Sequence, residues 1–270
     1  MKIGLVGATQ AAVAGLGAPR ELAAIAAPGT EIQAFPTRMP VFAHTPLEFA
    51  MQALNTVEAG VAAAAAGCDA LVINSFSDYG IAALKAAVDI PVVGAAEATL
   101  RFVGTLGPRF AIVTVWPPSL DYMPRQVMRE AGAEGGCVRI RHVGAEEVVA
   151  GSARPDGYVS ALQNGQGDIL ARIQAACDAA VAEDAVDAII LGCTCMSPIA
   201  DRLRAAVPIL NPLGVALKVA EMQAVLGLRP VATAPRRLQS LARLSQMVAA
   251  GATLGTDGDC AVCAVAAAAE

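Results

Sequence analysis

The chain has 270 residues, a formal net charge of -5 and a pI near 5.1, which allows one large domain or two small ones with a sizeable core. No run of Lys or Arg forms the basic stripe that a phosphate backbone requires, so no nucleic-acid partner is expected. No stretch approaches the roughly 20 apolar residues of a membrane-spanning helix, and a soluble, cytoplasmic protein without membrane contact is expected.

"KIGLV" is read as a first strand entering a Gly-containing loop, rather than as part of a leader, because Thr9 and Gln10 interrupt the apolar region. "EIQAF", "ALVIN", "PVVG", "RFAIVTV", "CVRIRHV", "AIILG" and "VPIL" follow as strands. Residues 46–67, 119–131 and 156–183 lie between them, and their length and alanine content predict helices. Such alternation predicts a parallel, doubly wound α/β sheet. From Arg229 onward the pattern changes: residues 235–250 predict one amphipathic helix, followed by Gly-rich and then Ala-rich sequence. This extension is expected to pack on a neighbouring subunit or to be partly disordered.

The chain also repeats itself. "DALVINS" (Asp69 to Ser75) and "DAIILGC" (Asp187 to Cys193) share two residues, then three aliphatic positions, and end on Ser or Cys. "IAALKAAVDIPVV" and "PIADRLRAAVPIL" after them each read as an amphipathic helix and a Pro-led strand. Two equivalent strand ends can therefore face each other across a cleft. Asp78 is expected to N-cap the helix of the first copy, and Ser197 before Pro198 that of the second. Ligands of open α/β sheets sit beyond such ends, where helix N-termini favour anions. Neither copy has a Gly-rich dinucleotide or nucleotide signature.

Seven cysteines, an odd number scattered along the chain, do not suggest a disulfide framework. Cys260 and Cys263 form a C-x-x-C with no second ligand pair, and His44 and His142 have no matching spacing, so no metal is expected. Cys193 could be a small buried hydrophobe. Its place at a duplicated strand end instead makes it the candidate acid/base, because a helix N-terminus stabilises a thiolate.

Other candidates have plain structural readings beside the functional ones. Thr9 and Gln10 could orient substrate or cap a turn. Ser77 and Asp78 read as helix caps and Cys195 as packing. Glu97 could be a buried carboxylate binding a loop amide, and His142 a surface or sheet-edge residue. Trp116 and Pro117 could shape a pocket wall or belong to the core.

Taken in order, "ALVINSFSDYG", "PVVGAAEATL", "RFAIVTV" and "DAIILGCTCM" resemble the hydantoin racemases of the aspartate/glutamate/hydantoin racemase superfamily, over roughly residues 1–228. The resemblance implies two pseudosymmetric Rossmann-like α/β lobes with mostly parallel sheets and an active site in the cleft between them. Residues 1–98 would form the first lobe, completed by about 212–228, and 99–211 the second, with 229–270 a helical and flexible extension. It implies a cofactor-independent enzyme acting on a small anionic or imide substrate, and association of subunits into a homo-oligomer.

Proton transfer would pass through a planar carbanion or enolate, with one cysteine on each face. By position Cys193 is one of these groups and Ser75 the other. Phe76 and Thr194 would supply N–H groups, and Thr114 could contact substrate. Ser75 departs from the two-thiol pattern. A Cys replaced to trap a ligand, a natural single-cysteine enzyme and a lost activity all remain open. Arylmalonate decarboxylases keep only the later cysteine and protonate an enediolate with it, and a small-anion binding protein is the non-enzymatic alternative. "VGATQ" also lacks the Asn-Pro-Asn usual in hydantoin racemases.

Overall fold

The computed structural model describes residues 1–7, 18–39, 41–149, 158–165, 167–229 and 238–253. The first half contains β1 (Lys2–Val6), a short helix α1 (Arg20–Ala23), β2 (Glu31–Phe35), α2 (Pro46–Ala65), β3 (Ala70–Ile73), α3 (Ile81–Ala87), β4 (Val92–Gly94) and α4 (Ala95–Val103). The second contains β5 (Phe110–Thr114), α5 (Tyr122–Ala131), β6 (Cys137–His142), α6 (Tyr158–Gln163), α7 (Ile169–Ala182), β7 (Ala188–Leu191), a 3-10 helix (Thr194–Arg202), β8 (Ile209–Leu210) and α8 (Pro212–Val225). A last helix, α9, spans Leu238–Thr253.

All eight strand segments read from the sequence are present. They form two parallel four-stranded sheets ordered β2-β1-β3-β4 and β6-β5-β7-β8. The same order twice is the three-dimensional form of the repeat. β3, β5 and β7 are buried at every residue, as parallel strands covered by helices on both faces must be, and so read as continuous apolar runs.

Helix α2 begins with a capping box: Thr45 accepts from the Glu48 N–H while Glu48 accepts from the Thr45 N–H, and Pro46 takes the first position. These contacts satisfy N–H groups that a helix start leaves unpaired. Residues 156–183 predict one helix, but among the described residues there are two. The chain breaks after Gln163, where Gly165 and Gly167 adopt positive φ (60° and 66°), a backbone region that ends helices and suits glycine. The segment after β7 is also not an amphipathic α-helix. Pro198 lies inside it, removing a backbone donor and crowding the preceding turn, and the segment winds as a 3-10 helix.

The helix after the last strand of each sheet crosses to the other sheet. Leu213, Ala216, Leu217 and Ala220 of α8 pack on Ile3, Leu5, Ala70 and Val72 of the first sheet. Ala96, Leu100 and Val103 of α4 pack on Phe110, Ile112, Ala188 and Ile190 of the second. The outer faces are covered by α2 and α3 on one side and by α7 with the 3-10 helix on the other. Helix α9 docks on the first half of its own chain. Val248 is buried, Leu244 meets the outer core of the first sheet, and Arg38 joins Glu58 to Ser245.

Asp78 is not the cap of α3, whose N-cap is Gly80 in the left-handed region. It caps α4 instead, accepting from the Ala96 and Glu97 N–H groups at 3.1 and 2.6 Å. Asp78 itself has φ 45°, a conformation that Asp tolerates better than most residues. Gly94 makes room, since a Cβ there would lie 2.3 Å from the Asp78 carboxylate. Burial pushes the Asp78 carboxyl up to about 7, against the pull of those two N–H bonds and with the Glu97 charge adding to the rise.

Two predictions follow from these close contacts. A Cβ on Gly192 would meet Ile112 Cγ2 at 2.7 Å and Thr114 Cβ at 2.8 Å, both on the buried β5, so Gly192→Ala should lower unfolding free energy by about 1–3 kcal/mol in urea titrations. For Asp78, a folded pKa above the unfolded value means that its contribution is fully present below about pH 4 and is lost as pH rises through about 7. Glu48 and Glu221 are shifted the other way, so their contributions fade only as pH falls below the ordinary carboxylate range. Between pH 5 and 7.5 the wild type should therefore lose stability with rising pH, and Asp78→Asn should flatten that slope in denaturant titrations at a series of pH values.

Candidate active site

The carboxyl ends of β3 and β7 are built alike, bond for bond. After β3, the Asn74 N–H donates to Val6 O at 2.7 Å, the Ser77 N–H to Ser75 Oγ at 3.0 Å, and the Asp78 N–H to Ser75 O at 3.3 Å. After β7, the Gly192 N–H donates to Val113 O at 2.7 Å, the Cys195 N–H to Cys193 Sγ at 3.1 Å, and the Met196 N–H to Cys193 O at 3.1 Å. Ser75 and Cys193 are thus equivalent, each receiving an N–H two residues on. Cys193 is itself the N-cap of the 3-10 helix, the role that the sequence suggests for Ser197. Ser197 is buried within that helix and accepts from Asn211 Nδ2 at 2.9 Å.

The residue after each pivot presents its amide. Among the described residues, neither the Phe76 nor the Thr194 N–H has a hydrogen-bond partner. Unpaired amides beside a reactive group can receive a developing negative oxygen.

Both turns stand at the junction of the two sheets. The Phe76 side chain reaches into the core under the second sheet, among Ala96, Leu100, Ile112 and Ile190. The Ser77 hydroxyl contacts Met123 Sδ of α5 at 3.5 Å. On the other side, Asn211 holds Ser197 and also caps α8, through the Leu213 N–H. Asp78 makes the corresponding tie from the first turn to α4. Each turn is thus fastened to one of the two crossing helices.

A partly aromatic wall lies beside the first turn. Phe49 meets Tyr79 edge-on at 4.9 Å, Phe42 lies 4.7 Å from His44 and 5.1 Å from Trp116, and Trp116 lies 6.2 Å from Tyr158. The Tyr158 hydroxyl donates to Val115 O at 3.1 Å, and His142, on the edge strand β6, bonds Trp116 O through Nδ1.

Other sequence-derived candidates fall at different distances from this centre. Thr114 is buried, its Oγ1 accepting from the Trp116 N–H and facing Gly192 O. Thr9, Gln10, Cys260 and Cys263 lie outside the described residues. Glu97 is not a buried loop-binding carboxylate: it pairs with Lys85 and Arg101 near the surface, and Asp78 fills the role that sequence reading gave it. Cys195 does more than pack, for its Sγ is bonded to that of Cys193 in a local disulfide. In this oxidised form Cys193 has no proton to exchange, so acid/base chemistry belongs to the reduced pair. Among the described residues, no group of three His, Cys, Asp or Glu side chains is placed to hold a metal, and no helix is long and apolar enough to cross a membrane.

Comparison with known proteins agrees with this architecture. The profile of the Asp/Glu/Hydantoin racemase family matches residues 20–220. A hydantoin racemase of Rhizobium meliloti is 31% identical over 159 residues, 58% of this chain and 61% of that protein, so the chain spans about three fifths of this relative's length. The structure of an allantoin racemase from Klebsiella pneumoniae superposes with a TM-score of 0.74 at 28% identity, covering 89% of this chain and 97% of the other. A double mutant of arylmalonate decarboxylase shares the fold at 17% identity, with a TM-score of 0.57 over 87% and 95% of the two chains. With matched turns at both strand ends and a family profile over most of its length, the chain belongs to the Asp/Glu/Hydantoin racemase family.

Proposed function

We propose that this protein is a cofactor-independent racemase or epimerase that inverts an acidic α-carbon by proton transfer, acting on 5-substituted hydantoins or related amino-acid derivatives. The observation that carries this reading is the bond-for-bond equivalence of the turns bearing Ser75 and Cys193. Two equivalent pivots at one junction suit a reaction that needs one group on each face of a planar intermediate. The similarity to hydantoin and allantoin racemases supports the substrate class.

In the reduced protein, the Cys195 N–H and the start of the 3-10 helix favour the Cys193 thiolate. The thiolate takes the α-proton: the C–H bond breaks, S–H forms, and the electron pair moves into the adjacent carbonyl. The Phe76 and Thr194 amides are the donors available to the enolate oxygen. A proton arriving from the Ser75 side completes inversion. Small, anionic or imide-like substrates fit this machinery, because the amides can donate to a carbonyl oxygen that gains negative charge.

One observation favours a second reading. Only one of the two equivalent positions bears a thiol, as a decarboxylase or isomerase would require if Cys193 alone delivered a proton to one face of an enediolate. A small-anion binding protein would keep the turns and perform neither reaction.

Single enantiomers of a 5-substituted hydantoin, incubated with reduced protein in deuterated water, separate the three. Inversion with deuterium incorporation is the expected result. Exchange without inversion would favour one-sided chemistry, and no exchange would leave only binding. Cys193→Ala should lower the rate by about 10³-fold or more, and an unchanged rate would remove Cys193 from the mechanism. Activity of the wild type should require a thiol reductant, whereas Cys195→Ser, which cannot form the local disulfide, should be active without one. Equal reductant dependence in both would show that the Cys193–Cys195 bond does not limit the thiol.

A further inference from the structure

The two turns match at their third residue as well as at their first. Ser77 follows Ser75 by two residues and Cys195 follows Cys193 by two, and each donates its backbone N–H to the earlier side chain, at 3.0 and 3.1 Å. The turn itself therefore needs no sulfur at the later position, since a serine serves there in the first half. What the Cys195 sulfur adds is a bond. Its Cα lies 5.2 Å from that of Cys193, inside the range that a disulfide spans, and the two sulfurs are joined while the turn keeps the hydrogen bonds of its Ser75 counterpart.

The pair also differs from the other described thiols. Cys193 is partly exposed, starts the 3-10 helix and accepts the Cys195 N–H. In the reduced protein the last two features favour the thiolate, which is the form that peroxides oxidise. Cys68 and Cys177 are buried. Cys137 lies on the edge strand β6, and burial pushes its thiol up to about 11.

We infer that Cys193 is a peroxide-sensitive site and that Cys195 is its resolving thiol, so that oxidation switches the site off reversibly instead of destroying its acid/base sulfur. The effect on catalysis rests on the racemase reading; the sulfur chemistry stands apart from it. The Cys193 thiolate attacks one oxygen of hydrogen peroxide: the O–O bond breaks, an S–O bond forms and hydroxide leaves, giving a sulfenic acid. The Cys195 sulfur then attacks the Cys193 sulfur. The S–O bond breaks as the S–S bond forms, and the oxygen departs as water with the Cys195 proton. Peroxide is reduced by two electrons, and the two thiols are oxidised to the disulfide. A small dithiol returns both electrons and both protons by thiol–disulfide exchange. Without the second sulfur the sulfenic acid persists, and another peroxide carries it to a sulfinic acid that thiols do not reduce.

The test treats the reduced full-length protein, freed of reductant, with an excess of hydrogen peroxide, beside Cys195→Ser. That variant carries the residue found at the matching place in the first turn, so the fold is retained. Remaining thiols are alkylated, and the tryptic peptide 173–202, which contains Cys177, Cys193 and position 195, is sequenced by tandem mass spectrometry with the buried Cys177 as internal control. In the wild type the peptide should lose two hydrogens, at Cys193 and Cys195, faster than in air alone. Dithiothreitol should then restore both the mass and the α-proton exchange of a 5-substituted hydantoin. In Cys195→Ser, Cys193 should gain two oxygens at least about tenfold more often than in the wild type at the same dose, and neither mass nor exchange should return. Equal sulfinic acid in both proteins, a wild-type disulfide that forms no faster than in air or joins Cys193 to another cysteine, or full recovery of the oxidised variant would each overturn the assignment. If the reduced wild type shows no exchange before peroxide is added, the racemase reading fails, while the masses still decide the role of Cys195.

Discussion

The hydrogen bond from a backbone amide to the side chain two residues before it is the constraint around which this protein is arranged. It occurs once at each strand end, at 3.0 Å to Ser75 and 3.1 Å to Cys193. By fixing the first side-chain torsion it sets where the oxygen or sulfur points, and among the described residues the intervening amide has no partner. The side chain proposed to react and the amide proposed to receive a negative oxygen are therefore positioned by a single turn. The sheets are buried, rigid supports for those turns, and the crossing helices hold them at a common junction.

Each turn is fastened by a different chemistry. A carboxylate ties the first to α4 and an amide ties the second to α8. The carboxylate accepts two backbone N–H groups at a helix start, a favourable arrangement for an anion, yet its burial works against the charge. Of the two anchors, the first is thus the one built on a titratable group. The second is held by neutral groups, and its two sulfurs are joined in the local disulfide.

Much of this was legible in the sequence, for a physical reason. Strands buried on both faces must be apolar throughout, so "ALVI" and "AIIL" stand out, and a duplicated strand end draws attention to whatever follows it. The equivalence of positions 75 and 193 is legible in this way, and the matching turns bear it out. What escaped notice depended on contacts between segments. Asp78 looks like a local cap because capping signals are local, but its partners lie 18 and 19 residues away. Glu97 looked like a buried carboxylate because it stands at a helix start, yet its side chain turns outward to two cations. The broken helix after residue 156 was readable in hindsight from its two closely spaced glycines.

The exchange of helices between the sheets has a further meaning. A half-length chain folded alone would leave one apolar face bare, and only a twin could cover it by lending its own helix. The smallest self-sufficient unit made from one half is therefore a twofold pair, in which symmetry would force the two pivots to be the same residue. Joining both halves in one polypeptide lifts that requirement. Position 75 and position 193 can then diverge independently, and a serine at one and a cysteine at the other is a combination that no symmetric pair of halves could hold.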